Sequence, residues 1–117
     1  MAKFLFDDPL TMIPIGMSFG TYPLKASVTL DVFKGCLSSE GMAMLRNEFG
    51  LLWMWCGVTM HPNGKPMAII SAVYSCEAAC AAVQPKIGNV LKHIGMMELM
   101  DGSPYLRVSG PGFIVKK

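Results

Sequence analysis

Cys76 and Cys80 are the two residues whose types and spacing come closest to a reactive or metal-binding site. Four positions apart on a helix, two thiols lie on one face, where a single metal ion can bind both. Structural zinc sites, however, favour a closer Cys-x-x-Cys spacing and need two further ligands, which Cys56 or His93 would have to supply. We favour buried free thiols, keep a thiol or metal site at Cys76 and Cys80 as an alternative, and predict no cofactor.

Other catalytic patterns are weak in this sequence. His61 falls in a turn signal, and His93 lies on the polar side of a helix pattern. Asp7 and Asp8 form the only adjacent acidic pair. The glycine-containing segments match neither a dinucleotide-binding fingerprint nor a phosphate-binding loop. The sequence therefore predicts a protein without catalytic residues and without enzymatic activity.

The composition indicates a surface that needs a partner. Of 117 residues, 52% are hydrophobic and only 15% are charged, whereas soluble domains average about 25% charged residues. A single domain with so few charges has apolar area to bury against another chain or against copies of itself. The net charge of +2, with scattered lysines, argues against electrostatic binding of nucleic acid.

The sequence predicts no leader and no membrane span. Asp7 and Asp8 interrupt the apolar start of the chain. The longest apolar stretch, Met67–Val83, is short and contains Glu77. We expect a cytoplasmic protein, or one of the host cytoplasm or the virion if the chain is viral.

The elements that must position these residues begin with an N-terminal arm. Residues 1–21 are predicted to form an apolar arm, either irregular or a short edge strand, because prolines and glycines interrupt the apolar residues. From Leu24 to Phe33, apolar residues alternate with polar ones, which predicts the first regular strand. This strand would open a single domain over residues 22–117.

Helix and turn signals then alternate along the chain. In order, they predict a helix from Ser38 or Ser39 to Gly50, a hairpin at Asn63-Gly64 and a helix capped by Ser75. Pro85 either kinks that helix or starts a new one, and Gly95 ends it. A hairpin at Asp101-Gly102 and a short strand at residues 113–115 follow. This order predicts an α+β two-layer sandwich, with two helices on one face of an antiparallel sheet. It is the ferredoxin-like βαββαβ order with an extra C-terminal hairpin strand.

The first hairpin is apolar on both faces. A two-residue Asn63-Gly64 turn would place Trp53 opposite Tyr74. One face would be aliphatic and pack on the helices. The other would carry the aromatic residues and is predicted to bind a partner through Trp53, Trp55, Ile70 and Tyr74.

Two covers for this aromatic face remain open. The N-terminal arm, with Phe4, Phe6 and Phe19, can fold over it, or another protein chain can dock there. We predict a non-enzymatic interaction or assembly subunit, acting as a homo-oligomer or with another protein. A viral or phage structural part and a small inhibitor of a host protein both fit this description. Single-stranded nucleic-acid binding on the same face is the second alternative.

Overall fold

An antiparallel four-stranded sheet is the frame of the molecule. The computed structural model describes residues 11–37, 42–43, 47 and 50–116. Their strands are β1 (Thr11–Pro23), β2 (Leu51–Met60), β3 (Pro66–Tyr74) and β4 (Leu106–Lys116), which lie side by side in the order β2-β3-β1-β4. Their helices are α1 (Leu30–Leu37), α2 (Glu77–Val83), α3 (Ile87–His93) and α4 (Met96–Leu99), with a 3-10 turn at Gln84–Lys86.

The helices pack on one face of the sheet. In one core cluster, Tyr22 of β1 packs with Phe33 of α1 and Met96 of α4. In the second cluster, Tyr74 of β3 packs with Val83 at the end of α2 and with α3. This element order and strand order are those of a ferredoxin-like α+β fold, which confirms the predicted fold class. The predicted extra strand at residues 113–115 is the end of β4.

The helices of the described residues are short. The longest, α1, has 8 residues. None is long and apolar enough to cross a membrane.

β1 lies in the centre of the sheet, so the predicted irregular arm is wrong for residues 11–21. The glycines that suggested turns are sites of close approach instead. A Cβ at Gly16 would collide with the Cys76 carbonyl group at the start of α2, and one at Gly20 would overlap the Tyr22 ring. Pro14 is tolerated because this part of β1 pairs only with β4. Residues 1–10 lie outside the described part of the chain.

The predicted strand from Leu24 to Phe33 is also wrong. Leu24 forms an isolated bridge with Met100, and α1 begins at Leu30. The Thr29 hydroxyl accepts a hydrogen bond of 3.3 Å from the Val32 amide, which is the contact of a helix cap. The alternation of apolar and polar residues is misleading because burial in this segment does not follow a period of two residues. Leu24 and Phe33 are buried, whereas Leu30 is half exposed.

The later helices follow their predicted pattern. Pro85 lies in the 3-10 turn between α2 and α3, and Gly95 follows α3 with φ +83°. The cap of α2 is Cys76 rather than Ser75. The predicted hairpin at Asp101-Gly102 is wrong, since α4 occupies residues 96–99. Most of the helix predicted from Ser38 or Ser39 to Gly50 lies outside the described residues.

The first hairpin forms, but with its register shifted by one residue. The His61 amide donates to the Lys65 carbonyl (2.9 Å), and the Gly64 amide donates to the His61 carbonyl (2.8 Å). The loop therefore has three residues, with Pro62 in the second position of a turn and Gly64 at φ +86°. Met60 then pairs with Pro66, not with Met67. A shift of one residue exchanges the faces of one strand relative to the other.

Candidate functional site

The hairpin register places the four residues predicted to bind a partner on two different faces of the sheet. Trp53 and Trp55 lie on the sheet face opposite the helices, where their side chains are 57% and 43% exposed. Tyr74 is buried on the helix-covered face at 1% exposure. Ile70, half-buried, lies on that same face, since it aligns with Gly20 of β1. The prediction of one surface containing all four residues is therefore wrong, and partner binding by Trp53 and Trp55 stays a prediction.

A cavity of about 30 Å³ lies between the sheet and the helices. Apolar side chains make most of its wall, including Met54, Ile70, Val90, Leu91 and Ile94. Its polar lining comes from three adjacent strands: Ser18 and Tyr22 of β1, Tyr74 of β3 and Arg107 of β4. This volume is enough for one or two water molecules. The combination of an apolar wall and a few converging polar groups is typical of small-molecule sites.

Arg107 is the one cation among the described residues of this cavity wall. It pairs across the sheet with Gly20, whose missing side chain leaves room for the Tyr22 ring. Its Nη2 donates a hydrogen bond of 2.7 Å to the Gln84 Oε1. Its Nε is buried and has no hydrogen-bond partner within the described part of the chain. A buried donor without an acceptor is costly, so this group favours a ligand that brings an oxygen.

The two tyrosines of the wall are held in the neutral form. Burial raises the pKa of Tyr22, although the charge of Arg107 and a hydrogen bond with it act in the opposite direction. Burial also raises the pKa of Tyr74 to about 12, while a hydrogen bond with Ser18 opposes this shift. At neutral pH both phenols therefore keep their protons and can donate hydrogen bonds, but cannot act as bases.

Cys76 and Cys80 have separate structural roles. The exposed Cys76 thiol caps α2 by accepting a hydrogen bond of 3.4 Å from the Ala79 amide. The buried Cys80 thiol donates to the Met17 carbonyl (3.4 Å). Burial raises the pKa of Cys80. Among the described residues, no three His, Cys, Asp or Glu side chains are grouped to hold a metal.

Gln84 links this thiol region to the cavity. Its Nε2 donates to the Cys80 carbonyl (3.2 Å), while its Oε1 accepts from Arg107. The amide of Gln84 thus holds the guanidinium against the helical layer.

The sequence reasoning missed Ser18, Tyr22, Gln84 and Arg107 as a group. One signal was present: Arg107 is one of only two arginines in the chain, and it stands between the apolar residues Leu106 and Val108. A charged residue inside an apolar strand pattern often marks a buried functional group. Its partners could not be found in the same way, because they are far apart in sequence.

The other face of the sheet is apolar, and no helix of the described residues packs on it. Trp53, Trp55, Met17, Phe19 and Val108 all lie there. Phe19 contacts Trp55 with a distance of 6.3 Å between ring centroids. Phe19 belongs to β1 rather than to an arm, while the other two aromatic residues of the predicted arm cover, Phe4 and Phe6, lie outside the described residues.

Comparison with known proteins finds similarity at the level of fold. No protein-family model matches the sequence, and no curated protein matches it. A solved structure of a monooxygenase from the gene ActVA-Orf6 of Streptomyces coelicolor, in complex with the ligand Nanaomycin D, is similar in fold. The TM-score is 0.51 at 13% sequence identity, and the match covers 88% of each chain.

This finding contradicts the predicted function. A fold of the same layout is used by a monooxygenase whose solved structure contains a small-molecule ligand. The predicted role as a non-enzymatic interaction or assembly protein is therefore corrected. Its two alternatives, nucleic-acid binding and a thiol or metal site, are set aside with it. At this sequence identity, the similarity establishes the ferredoxin-like α+β fold of the chain.

Proposed function

We propose that this protein is a small-molecule enzyme whose substrate is an apolar ring compound with an ionisable oxygen, such as a phenol or an enol. The observation that carries the proposal is the buried Nε of Arg107, which has no acceptor among the described residues and lies in the wall of an apolar cavity. The monooxygenase of similar fold supports oxygenation as the reaction class.

Arg107 would act by stabilising the oxyanion of the substrate. In an apolar, water-poor site, a positive charge lowers the pKa of a neighbouring acid by about 1–3 units. An ionised phenol is richer in electrons than the neutral form, so it gives an electron more readily to dioxygen, the oxidant and oxygen donor of an oxygenation. The neutral hydroxyls of Tyr22 and Tyr74 would orient the same oxygen by donating hydrogen bonds.

A ring-sized ligand requires the cavity to widen. At about 30 Å³ its volume is that of one or two water molecules. Met42 and Met54 form part of the wall. Methionine side chains are unbranched and adapt readily to a change of cavity shape, so we propose that these two side chains move when the ligand enters.

The test uses 1-naphthol as the probe, with naphthalene as the matched compound without oxygen. Absorbance titration of the bound probe reports its ionisation. We expect bound 1-naphthol to ionise at a pH about one unit lower than in water, and naphthalene to bind at least about tenfold more weakly. Arg107→Met should abolish the shift, while Arg107→Lys, which keeps the charge, should retain part of it.

Three outcomes would overturn the proposal. They are equal binding of naphthol and naphthalene, an unshifted titration of the bound naphthol, and an unchanged shift in a folded Arg107→Met variant. Circular dichroism checks that each variant is folded. If Arg107→Met does not fold, the comparison of the parent with Arg107→Lys and the two probes still decides.

We also propose a cytoplasmic location. The four cysteines are all free thiols. Free thiols persist in reducing compartments, whereas oxidising ones favour disulfides.

A further inference from the structure

We propose that the open sheet face binds a second copy of this chain, with Trp53 of each copy packed over Gly110 of the other. This surface lies on the opposite side of the sheet from the cavity, so the inference goes beyond the proposed function and does not depend on it. The occupant is a second copy, because the face is nearly uncharged and mainly apolar, with Thr11, Thr21, Thr59 and Ser71 as its polar residues. Of the described strand residues that point to this side, only Lys116 is charged.

The size of the face fits a stable dimer. Its half-exposed apolar side chains are contributed by all four strands: Trp53, Trp55, Ile69, Val73, Met17, Ile13, Leu106, Val108 and Ile114. Seven of them have exposed fractions of 39% to 57%. Their summed exposed area is on the order of 700 Å², close to the roughly 800 Å² that each partner buries in a standard protein interface.

One edge of the face carries large exposed rings and the other an open groove. At the β2 edge, Trp53 and Trp55 expose their rings, and the Trp55 ring contacts Phe19 of β1. At the β4 edge there is an open groove of about 220 Å³, lined by Met17, Val108, Ser109, Gly110 and Pro111. Gly110 leaves this space because it has no side chain. Large rings and an empty groove on one surface are shapes that complement each other between two copies.

The strand register places the Trp53 ring and the groove at Gly110 at the same position along the strand direction. Trp53 pairs with Val73, Val73 pairs with Met17, and Met17 pairs with Gly110. These residues form one row that crosses the sheet at right angles to its strands. Trp53 and Gly110 are therefore at opposite ends of a single row.

A two-fold axis parallel to the strands brings one end of this row, in one copy, against the other end of the row in the second copy. When this axis lies between two facing sheets, each residue keeps its position along the strand direction. The β2 edge of one copy then lies over the β4 edge of the other. The axis therefore brings Trp53 of each copy over Gly110 of the other. The contact is made twice in each dimer, as an isologous interface requires. A two-fold axis perpendicular to the strands would instead place β2 over β2, with ring against ring and groove against groove.

The first experiment measures the mass of the full chain by light scattering and sedimentation at micromolar concentration. We expect a dimer. Trp53→Lys and Gly110→Glu should each raise the dissociation constant by about 100-fold or more, since a charge then faces an apolar surface. Leu30→Ser removes a comparably exposed apolar side chain from α1 and should leave the dimer intact. Circular dichroism verifies that the variants are folded.

The second experiment mixes the two charged variants. In the proposed arrangement, the new ammonium group of Trp53→Lys lies over the new carboxylate of Gly110→Glu, and the other contact is that of the parent protein. Native mass spectrometry, which separates the two chain masses, should then find a mixed dimer although neither variant dimerises alone. If no mixed dimer forms, the crossed contact between Trp53 and Gly110 is wrong.

Three further results would overturn the proposal. They are a monomeric parent protein, a dimer unaffected by Trp53→Lys, and a monomer that dimerises only after residues 1–10 are deleted. The last result would mean that the N-terminal residues cover the face. None of these results bears on naphthol binding, so failure of the dimer and failure of the proposed function can be told apart.

Discussion

Arg107 donates a hydrogen bond of 2.7 Å to Gln84, and this contact ties the edge strand β4 to the turn between two helices. Gln84 in turn donates to the backbone carbonyl of Cys80 in α2. One amide therefore connects the sheet, the helical layer and the cation that lines the cavity. The contact positions Arg107 and also satisfies part of its hydrogen-bonding capacity.

Gln84→Ala should lower the free energy of unfolding by about 1–2 kcal/mol. The substitution removes the acceptor of a hydrogen bond to a charged, partly buried donor. Urea denaturation measures the change. Gln84→Glu is the matched control: it keeps the oxygen that accepts from Arg107 and adds an ion pair with it, but it loses the amide donor to the Cys80 carbonyl, so its stability should lie above that of Gln84→Ala. Equal stability of the parent and Gln84→Ala would show that the contact is not important for folding.

Gly16→Ala should destabilise the protein by about 2 kcal/mol or more. The new methyl group would overlap the Cys76 carbonyl and the Cys80 Cβ, and backbone atoms cannot move aside as a flexible side chain can. Gly57→Ala is the control, because a Cβ there meets no atom of the described residues within 4 Å. Its stability should change by less than about 0.5 kcal/mol. If both variants are equally stable in urea, α2 does not pack on β1 at Gly16 as described.

The helices α2 and α3 could be predicted because their signals are local. Pro85, Gly95 and the apolar stripe between them specify start, break and end within a few residues. β1 could not be predicted in this way. Glycine marks both turns and close approach, and only the long-range contact of Gly16 with α2 decides between them.

The hairpin register depended on one turn residue. Asn63-Gly64 is a strong two-residue turn signal, but Pro62 suits the second position of a turn and so favours the three-residue loop. That single residue moved Tyr74 and Ile70 from the aromatic face to the core. The group around Arg107 was beyond local reasoning for another reason: strands β1, β3 and β4 are brought together only by the fold.

Stability should fall between about pH 9 and 11, and Tyr74 should be one source of the decrease. Its pKa is raised from 10.0 to about 12 in the folded protein. The unfolded chain therefore loses this proton first as the pH rises, so the stabilisation present below about pH 10 is lost toward pH 12. Tyr74 alone should contribute about 1 kcal/mol between pH 9 and 11.

Urea denaturation at about pH 9, 10 and 11 measures this decrease. Tyr74→Phe cannot ionise, so its stability should fall less steeply than that of the parent over this range, even if it is lower at the start of the range through loss of the Ser18 hydrogen bond. Parallel decreases in the two proteins would contradict the burial of the Tyr74 hydroxyl.

Cys76 should be the most reactive of the four thiols in the native protein. It is the exposed one, whereas Cys80 is buried and Cys36 and Cys56 are half-buried. Burial raises the pKa of Cys56 to about 11 and also raises those of Cys36 and Cys80. Since the thiolate is the reacting form, these three thiols should react slowly at about pH 8.

Alkylation with N-ethylmaleimide, followed by mass analysis of the peptides, measures each rate. We expect Cys76 to react at least about tenfold faster than Cys56 or Cys80. Cys76→Ser should remove the fast reaction, and its hydroxyl can still accept the hydrogen bond from Ala79 that caps α2. In urea all four thiols should react at similar rates, because unfolding removes the burial. A native Cys80 that reacts as fast as Cys76 would mean that α2 does not stay packed on β1.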